Sequence, residues 1–399
     1  MPQKHHQNQK TTRVPRRRIA VVGLRGIPAT WGGVEHHCEQ LYTRLAAMGY
    51  DITVYGRRGY VPRHVSCHKG VRVRRLPTLV TKYTDTILYT LCAISMVLVD
   101  KPDIVHFHAQ GPALLSWVPR LLKPRMRIFF TCHGLDWQRK KWPLWASRII
   151  KFGEWCSATF PHYGIVVSKH LREYYWTQYH RRMAYIPNGI VIPPSTSADA
   201  LAHYALQPKS YMLWVGRIVP EKRLEDVLRA YLKKPRRYLL VIAGDLADGR
   251  AYMDMVQQIA TGCPMIRFLG FQYGTLLQQL YAHALAFVTA SELEGMPLTL
   301  LEALAHGTPC VASDIPPHRE ILEPLGGMLF PTGDIEGLAT CLDAAEQLDE
   351  PGRLQYRRAA LDMLSRIYSW DVAAQAHDLL YQQALSGIDD DIRTRDHPL

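Results

Sequence analysis

Two α/β domains, each built on a parallel sheet, are the fold class that three observations predict. The chain has 399 residues, enough for two separate hydrophobic cores. Short β-branched runs that end at or near glycine recur along it, each followed by apolar residues at helical spacing. Near the middle, Pro193, Pro194 and Ser195–Ser197 form a stretch suited to an interdomain linker.

Composition narrows the class. A hydrophobic fraction of 47% with 21% charged residues is that of a globular chain and argues against a disordered one. Eight cysteines are scattered with no C-x-x-C pair, which predicts reduced, mostly buried thiols in the cytoplasm, without a disulfide framework or zinc site. The N-terminus is polar and basic and lacks an apolar h-region, so no secretory signal is expected. The longest apolar run, Ile87 to Val99, is too short to span a bilayer. It reads as a helix of the first core, or one partly at a membrane surface.

Charge is split unevenly. Residues 1–185 carry 30 Lys and Arg against 9 Asp and Glu, a balance of +21, whereas residues 186–399 carry 18 against 26, a balance of −8. A basic half beside an acidic half calls for a polyanionic partner, either nucleic acid or an anionic membrane leaflet. No zinc finger, RRM or KH signature is present, and Trp137, Trp142, Trp145 and Trp155 do not form a stacking module. A solvated basic surface is the plain alternative.

Taken in order, residues 1–17 read as a disordered basic tail. Arg18–Gly23 (RIAVVG) is a buried strand, followed by the glycine-rich LRGIPATWGGVE and a helix over Val34–Met48 ending at Gly49. Strand, glycine loop and helix is the general phosphate-cradling arrangement. It is not the dinucleotide fingerprint, since Gly23, Gly26, Gly32 and Gly33 do not make G-x-G-x-x-G. The next strand, Asp51–Tyr55, ends in GRRG without an acidic residue for a ribose, which disfavours a dehydrogenase.

Asp103–His108 is a further strand whose His106 and His108 share a face. With His133 they form a possible metal set, against which stands the plainer reading of packed histidines near a cleft, as no carboxylate or cysteine is spaced to finish coordination. Arg127–Cys132 leads into HGLDWQRKKW, placing His133 at a strand's carboxyl end, where open α/β sheets bind ligands. A helical stretch (145–160), a strand (164–168) and a helix rich in Tyr and Arg follow.

The second half opens with the strand Tyr211–Val215, then Gly216, Arg217 and a loop to Glu221, Lys222 and Arg223. Lys222 has Glu221 as a candidate surface partner. Leu239–Gly244 and Met265–Leu269 are further strands. The densest stretch is SELEGMPLTLLEALAHGTPCVASD, Ser291 to Asp314. Pro297 suits the first helical position and Gly307 ends the helix Leu298–His306. Around it only Thr299, Glu302 and His306 are polar, so the helix is buried and Glu302 must meet hydrogen-bond donors. Glu294 precedes the helix start, where free N–H groups attract anions. Phosphate on the N–H groups and sugar hydroxyls on the carboxylates would suit a nucleoside diphosphate sugar. The alternative is a solvated Glu294 and a Glu302 paired with an arginine.

Glu294, seven residues, Glu302 and then EALAHGTPCVASDIPPHREI resembles the retaining glycosyltransferases of family 4, whose fold is GT-B. The resemblance extends through YMLWVGRIVPEKRLEDVLRAY, VIAGD, RFLGF and YAHALAFVTAS, and GLRGIPATWGGVEHHCEQL, HGLDWQRKKW and YIPNGI look like a bacterial surface-polysaccharide subgroup that includes rhamnosyltransferases. It covers 18–385.

The resemblance implies two Rossmann-like domains facing across a cleft: 18–192 for the acceptor, 193–369 for the nucleotide-sugar. A helix over 370–386 would pack back on the first domain, and 387–399 would be a loose tail. It implies that Arg217 and Lys222 clamp the leaving diphosphate, with Gly32, Gly33, Gly216, Gly244, Gly295, Met296, Pro297 and Leu298 lining the donor. Gln272, in the loop Gly270–Gly274, would lie at the nucleobase, Glu302 at the ribose, Glu294 and His133 at the donor sugar. Trp31, Asp136, Lys140 and Lys141 would meet the acceptor; for the two lysines a solvated patch is an equal reading.

No metal or other cofactor is expected, because apart from the 389–391 run the sequence holds no D-x-D. The implied partners are a nucleotide-diphosphate sugar, a lipid-linked saccharide and an anionic membrane surface on the cytoplasmic side, and not nucleic acid. Glu-Gly-Met-Pro stands where many members have Glu-Gly-Phe-Gly, which leaves the donor sugar open. A sugar-nucleotide epimerase of the same architecture and a noncatalytic polyanion-binding protein are the rival readings.

Overall fold

The computed structural model describes residues 16–30, 32–78, 85–140, 142–194, 196–245 and 250–386. The tails over 1–15 and 387–399, and the residues Trp31, Lys141 and Ser195, lie outside it.

The first sheet is built from β1 (Arg18–Val22), β2 (Asp51–Arg57), β3 (Cys67–His68), β4 (Val71–Leu76), β5 (Ile104–His108), β6 (Arg127–Cys132), β7 (Tyr163–Val166) and β8 (Ala184–Tyr185). Their spatial order is β3-β4-β2-β1-β5-β6-β7-β8, parallel throughout except for the β3–β4 pair. Helices α1 (Gly33–Ala47), α2 (Asp85–Asp100), α3 (Gln110–Ala113), α4 (Trp117–Leu122), α5 (Leu144–Thr159) and α6 (Lys169–Tyr179) connect the strands. Both faces of the sheet are covered, which is why its strands read as continuous apolar runs. Ala20, Val22, Phe107 and Phe130 point to the core shared with α2, α3 and α6, while Ile19, Val21, Ile104 and Phe129 point to the core under α1.

The second sheet holds β9 (Tyr211–Val215), β10 (Leu239–Ala243), β11 (Ile266–Gly270), β12 (Ala286–Thr289), β13 (Cys310–Ser313) and β14 (Met328–Phe330). Its order is β11-β10-β9-β12-β13-β14, all parallel. Its helices are α7 (Leu224–Leu232), α8 (Arg250–Ala260), α9 (Gly274–His283), α10 (Leu298–Ala305), α11 (Pro316–Leu322), α12 (Ile335–Gln347) and α13 (Glu350–Arg366). The last helix, α14 (Trp370–Ser386), returns to the first sheet and packs beside α1. Arg44 there pairs with Asp371 at 2.7 Å, and the Tyr50 hydroxyl donates to Asp378 at 2.6 Å.

In both sheets the strand order reverses once, between β1 and β5 and between β9 and β12. Crevices open at the carboxyl ends of strands at such points. The loops after β1, β5 and β6 and those after β9 and β12 therefore carry the residues most able to meet a ligand.

Two expectations need correction. Pro297 is not the first helical residue: its ψ of 89° is extended, so it caps α10, which starts at Leu298 and ends at Ala305, one residue before His306. Only Cys38, Cys132, Cys156 and Cys310 are buried; Cys67 is exposed and the other three are intermediate.

Candidate active site

The loops after β9 and β12 meet at their switch point. Lys222 Nζ lies 2.5 Å from Glu294 Oε1, and the Glu292 N–H donates to the Glu221 carbonyl at 2.9 Å. Glu294 is thus neither solvated nor left to a distant partner, and Lys222 pairs with it and not with Glu221. Burial pushes the Glu294 carboxyl up, but Lys222, His318 and a hydrogen bond from Ser291 outweigh it and hold the pKa below the ordinary value. His318 on α11 backs the pair; burial drives its pKa down to about 4, so it stands neutral. It was not singled out from sequence, since a lone histidine after two prolines carries no signal.

Arg217 follows β9 and Gly216 and is open to solvent within the cleft. Crowding by the cleft walls and the neighbouring Arg139 lower its pKa, against the pull of Glu294 and Glu221. A second cation so placed, with no close ion pair among the described residues, is suited to an incoming anion.

Glu302 lies one turn into α10, as its polar position predicts. The donor it requires is the Tyr281 hydroxyl on α9, at 2.8 Å from Oε2, and not an arginine. One hydrogen bond only partly offsets burial, and the Glu302 pKa is raised to about 7. Tyr281 also stacks on His306, centroids 6.0 Å apart.

The opposite wall comes from the first domain. A Cβ on Gly295 would sit 1.8 Å from the His133 carbonyl oxygen, so glycine alone lets the two loops touch here. A Cβ on Gly33 would meet Leu298 Cδ1 at 3.4 Å, which sets the first loop against the start of α10. Gly32 has φ of 103° and lies against the Glu35 carboxylate, which accepts from the Arg25 N–H at 3.2 Å. Lys140 reaches over the cleft to Glu292 at 2.5 Å, and Asp136 pairs with Arg139 at 3.1 Å.

Behind this wall lies a buried histidine cluster. His108 Nδ1 is 2.9 Å from His133 Nε2, and His108 Nε2 is 2.6 Å from the Tyr42 hydroxyl. His37 Nδ1 meets the Asn188 carboxamide oxygen at 2.7 Å. Of the histidines read as a possible metal set, His106 is turned away, held by Tyr381 at 2.6 Å and Thr131 at 2.8 Å. His37 takes its place: the ligand atoms of His37, His108 and His133 lie within 4.8 Å of one another. That trio could hold a borderline cation such as Zn2+, yet a single shared proton already satisfies the His108–His133 contact. Burial pushes the His133 pKa down to about 4 and those of His37, His106 and His108 well below the ordinary value.

The other residues expected at the donor have these surroundings. Gly244 approaches Gly216, whose carbonyl oxygen would be 1.9 Å from a Cβ on Gly244. Gln272 folds back on the Leu269 carbonyl at 2.6 Å, beneath the stacked and exposed Phe271 and Tyr273. Met296 is buried behind the helix start. Trp31 and Lys141 lie outside the described residues.

Two parallel-sheet domains whose switch-point loops face one another have the GT-B architecture, and the family matches over both domains make the chain a glycosyltransferase of that type. Residues 31–192 match the family model "Glycosyltransferase Family 4", and residues 202–361 match "Glycosyl transferases group 1". The chain is 24% identical over 343 residues to a GDP-mannose-dependent alpha-mannosyltransferase of Mycobacterium tuberculosis, covering 80% of this chain and 85% of that one. In structure it is similar to sucrose-phosphate synthase from Thermosynechococcus elongatus, with a TM-score of 0.81 at 21% identity, covering 93% of this chain and 100% of the other. It is also similar to Anabaena HepE in complex with UDP and glucose, with a TM-score of 0.77 at 15% identity, covering 92% and 100%.

Proposed function

We propose that this enzyme transfers a sugar with retention from a nucleotide-diphosphate donor to a lipid-linked saccharide in bacterial surface-polysaccharide synthesis, at the cytoplasmic side of the membrane. The observation that carries this reading is that the Lys222–Glu294 pair, with Glu294 just before α10, faces His133 across the cleft, with Arg217 within the electrostatic reach of Glu294.

Arg217 and Lys222 hold the diphosphate with the N–H groups of Met296 and Leu298 and of Gly32 and Gly33. These contacts strengthen as negative charge gathers on the leaving phosphate. Glu302 accepts hydrogen bonds from the ribose, Glu294 and His133 orient the sugar, and the loop of Gln272 meets the base. The bond from the anomeric carbon to the phosphate oxygen breaks and one to the acceptor oxygen forms on the same face. The acceptor's proton passes to the departing phosphate. Asp136, Lys140 and, outside the described residues, Trp31 and Lys141 serve the acceptor. No metal is needed in this scheme, because two cations and a helix start already meet the diphosphate charge. The family models and the UDP complex of HepE support the donor class.

The test is a thermal-shift screen with UDP-, GDP- and dTDP-sugars on the wild type, Arg217→Ala and Glu302→Ala. A ligand that binds the folded state raises its melting temperature. One nucleotide stabilising the wild type and neither variant is the expected result; no shift with any of them would remove the donor assignment.

A further inference from the structure

We propose that the outer surfaces of α2, α4 and α5 form one docking face for an anionic lipid bilayer. This rests on the reading of a lipid-linked acceptor and assigns the surface that meets the lipid.

The observation that carries it is that α5 is turned inside out. A helix on a globular surface ordinarily hides its apolar stripe and shows its polar one. In α5 the exposed positions are Leu144, Trp145, Arg148, Ile149, Phe152, Trp155 and Thr159, five of the seven apolar. Leu144 is 81% exposed and Phe152 is 55% exposed, its ring stacked on Trp155 at 5.4 Å.

The buried side of the helix holds the carboxylate Glu154, and the interior satisfies it fully. Gln110, Trp137, Lys151, Tyr174 and Tyr179 all donate to it, at 2.5–2.8 Å. Four of these donors, Gln110, Trp137, Tyr174 and Tyr179, lie outside α5 and fix its orientation, so the apolar stripe is held outward by the fold.

Neighbouring helices repeat the pattern. On α2 the outward row is Ile87, Leu91, Ser95 and Val99, three of the four apolar; on α4 the exposed side chains are Trp117, Leu121 and Leu122. α2 packs against α3 and α4, and α3 packs against α5, so the three helices lie on one side of the first sheet. Large exposed apolar side chains gathered on one side of a domain mark an interaction site.

Charge selects the partner. Between residues 85 and 172 twelve Lys and Arg stand against five acids, of which Asp85 and Asp100 pair with Arg57 and Arg74 and Glu154 is buried. Arg148 lies within the stripe, and Arg120, Lys123 and Arg125 border it. Aromatic and aliphatic side chains flanked by cations suit the boundary between headgroups and acyl chains of an anionic leaflet. Among the described residues no helix is long and apolar enough to cross a membrane, so contact is from one side. The face begins at Leu144, four residues beyond Lys140, which bridges the cleft to Glu292. A bilayer seated there brings a lipid-borne acceptor to the cleft rim.

The test is flotation of the full-length protein with phosphatidylcholine vesicles, with and without phosphatidylglycerol. The wild type is expected to float with the anionic vesicles and less so with added salt. Ile149→Glu with Phe152→Glu should weaken binding by about tenfold or more, since each removes the burial of a large apolar side chain. Leu121→Glu with Leu122→Glu, on a different helix, should do the same, and each pair should keep the wild-type melting temperature. Wild-type protein that ignores the vesicles, or a folded variant of each pair that binds like the wild type, overturns the proposal. So does a wild-type dimer that the α5 substitutions dissociate without changing vesicle binding. The nucleotide-sugar melting shift, measured without lipid, separates these outcomes from failure of the donor assignment.

Discussion

Lys222 and Glu294 are 72 residues apart in sequence and form a 2.5 Å ion pair where the second sheet reverses its strand order. Each side chain is largely withdrawn from water, so removing one strands the other's charge. Lys222→Ala is expected to destabilise the protein by part of the roughly 3–5 kcal/mol typical of a fully buried broken pair, less because both ends retain some solvent. Its effect on turnover should be larger, about 10²–10³-fold in kcat, as for loss of a group that meets developing charge. Kinetics with the donor found by the thermal screen check this; turnover within a fewfold of wild type would remove Lys222 from the clamp.

Gly295 tests the closure of the cleft. A Cβ there would overlap the His133 carbonyl oxygen, and both partners are backbone, so neither can step aside cheaply. Gly295→Ala is expected to part the two domains at this point, with a strain of about 1–3 kcal/mol and at least a tenfold loss of kcat/KM. Small-angle scattering should show a larger radius of gyration. Wild-type activity with an unchanged radius would mean that the contact does not matter to catalysis.

The pKa of Glu302, raised to about 7, sets a pH dependence with a definite sign. Between the ordinary carboxylate value of 4.5 and about 7 the folded state binds more protons than the unfolded one. This carboxyl therefore lowers stability as pH rises through that window. Glu302→Gln should raise the melting temperature relative to wild type more at pH 8 than at pH 5. If Glu302 accepts from the ribose as proposed, donor binding should weaken in the wild type below pH 7. An equal stability difference at both pH values would contradict the buried, singly bonded carboxyl.

The buried histidines act in the opposite sense. His133, His318 and His377 have pKa values near 4, driven there chiefly by burial, and those of His37, His106 and His108 lie well below the ordinary 6.5. A depressed value gives stability that is complete above 6.5 and is lost as pH falls toward the folded value. Each such group adds a slope of about 1.4 kcal/mol per pH unit in that range. Denaturant unfolding at pH 7.5, 6 and 5 should show a steep fall below 6; a flat profile would mean that these imidazoles reach water.

If Arg217, Lys222 and the start of α10 suffice for the diphosphate, chelation should leave turnover unchanged. Activity lost to EDTA and restored by a divalent cation would show that the charge is met otherwise.

Much of the architecture is legible locally. Tyr211–Val215 and Arg127–Cys132 are strands to the residue, because short apolar runs bounded by glycine or polar residues leave little choice. The burial of α10, the need of Glu302 for a donor and the uneven charge of the two halves also follow from the residues alone. Tertiary structure decided which groups meet. Nothing local says that Tyr281 serves Glu302, that His37 joins His108 and His133 while His106 is tied off by Tyr381, or that Lys222 prefers Glu294 to adjacent Glu221. Those pairings depend on sheet order and on where α14 returns. The same holds for α5: its spacing announces a helix but not which side faces inward. That was settled by four donors from outside the helix, drawn from as far apart as Gln110 and Tyr179, gathering around one carboxylate.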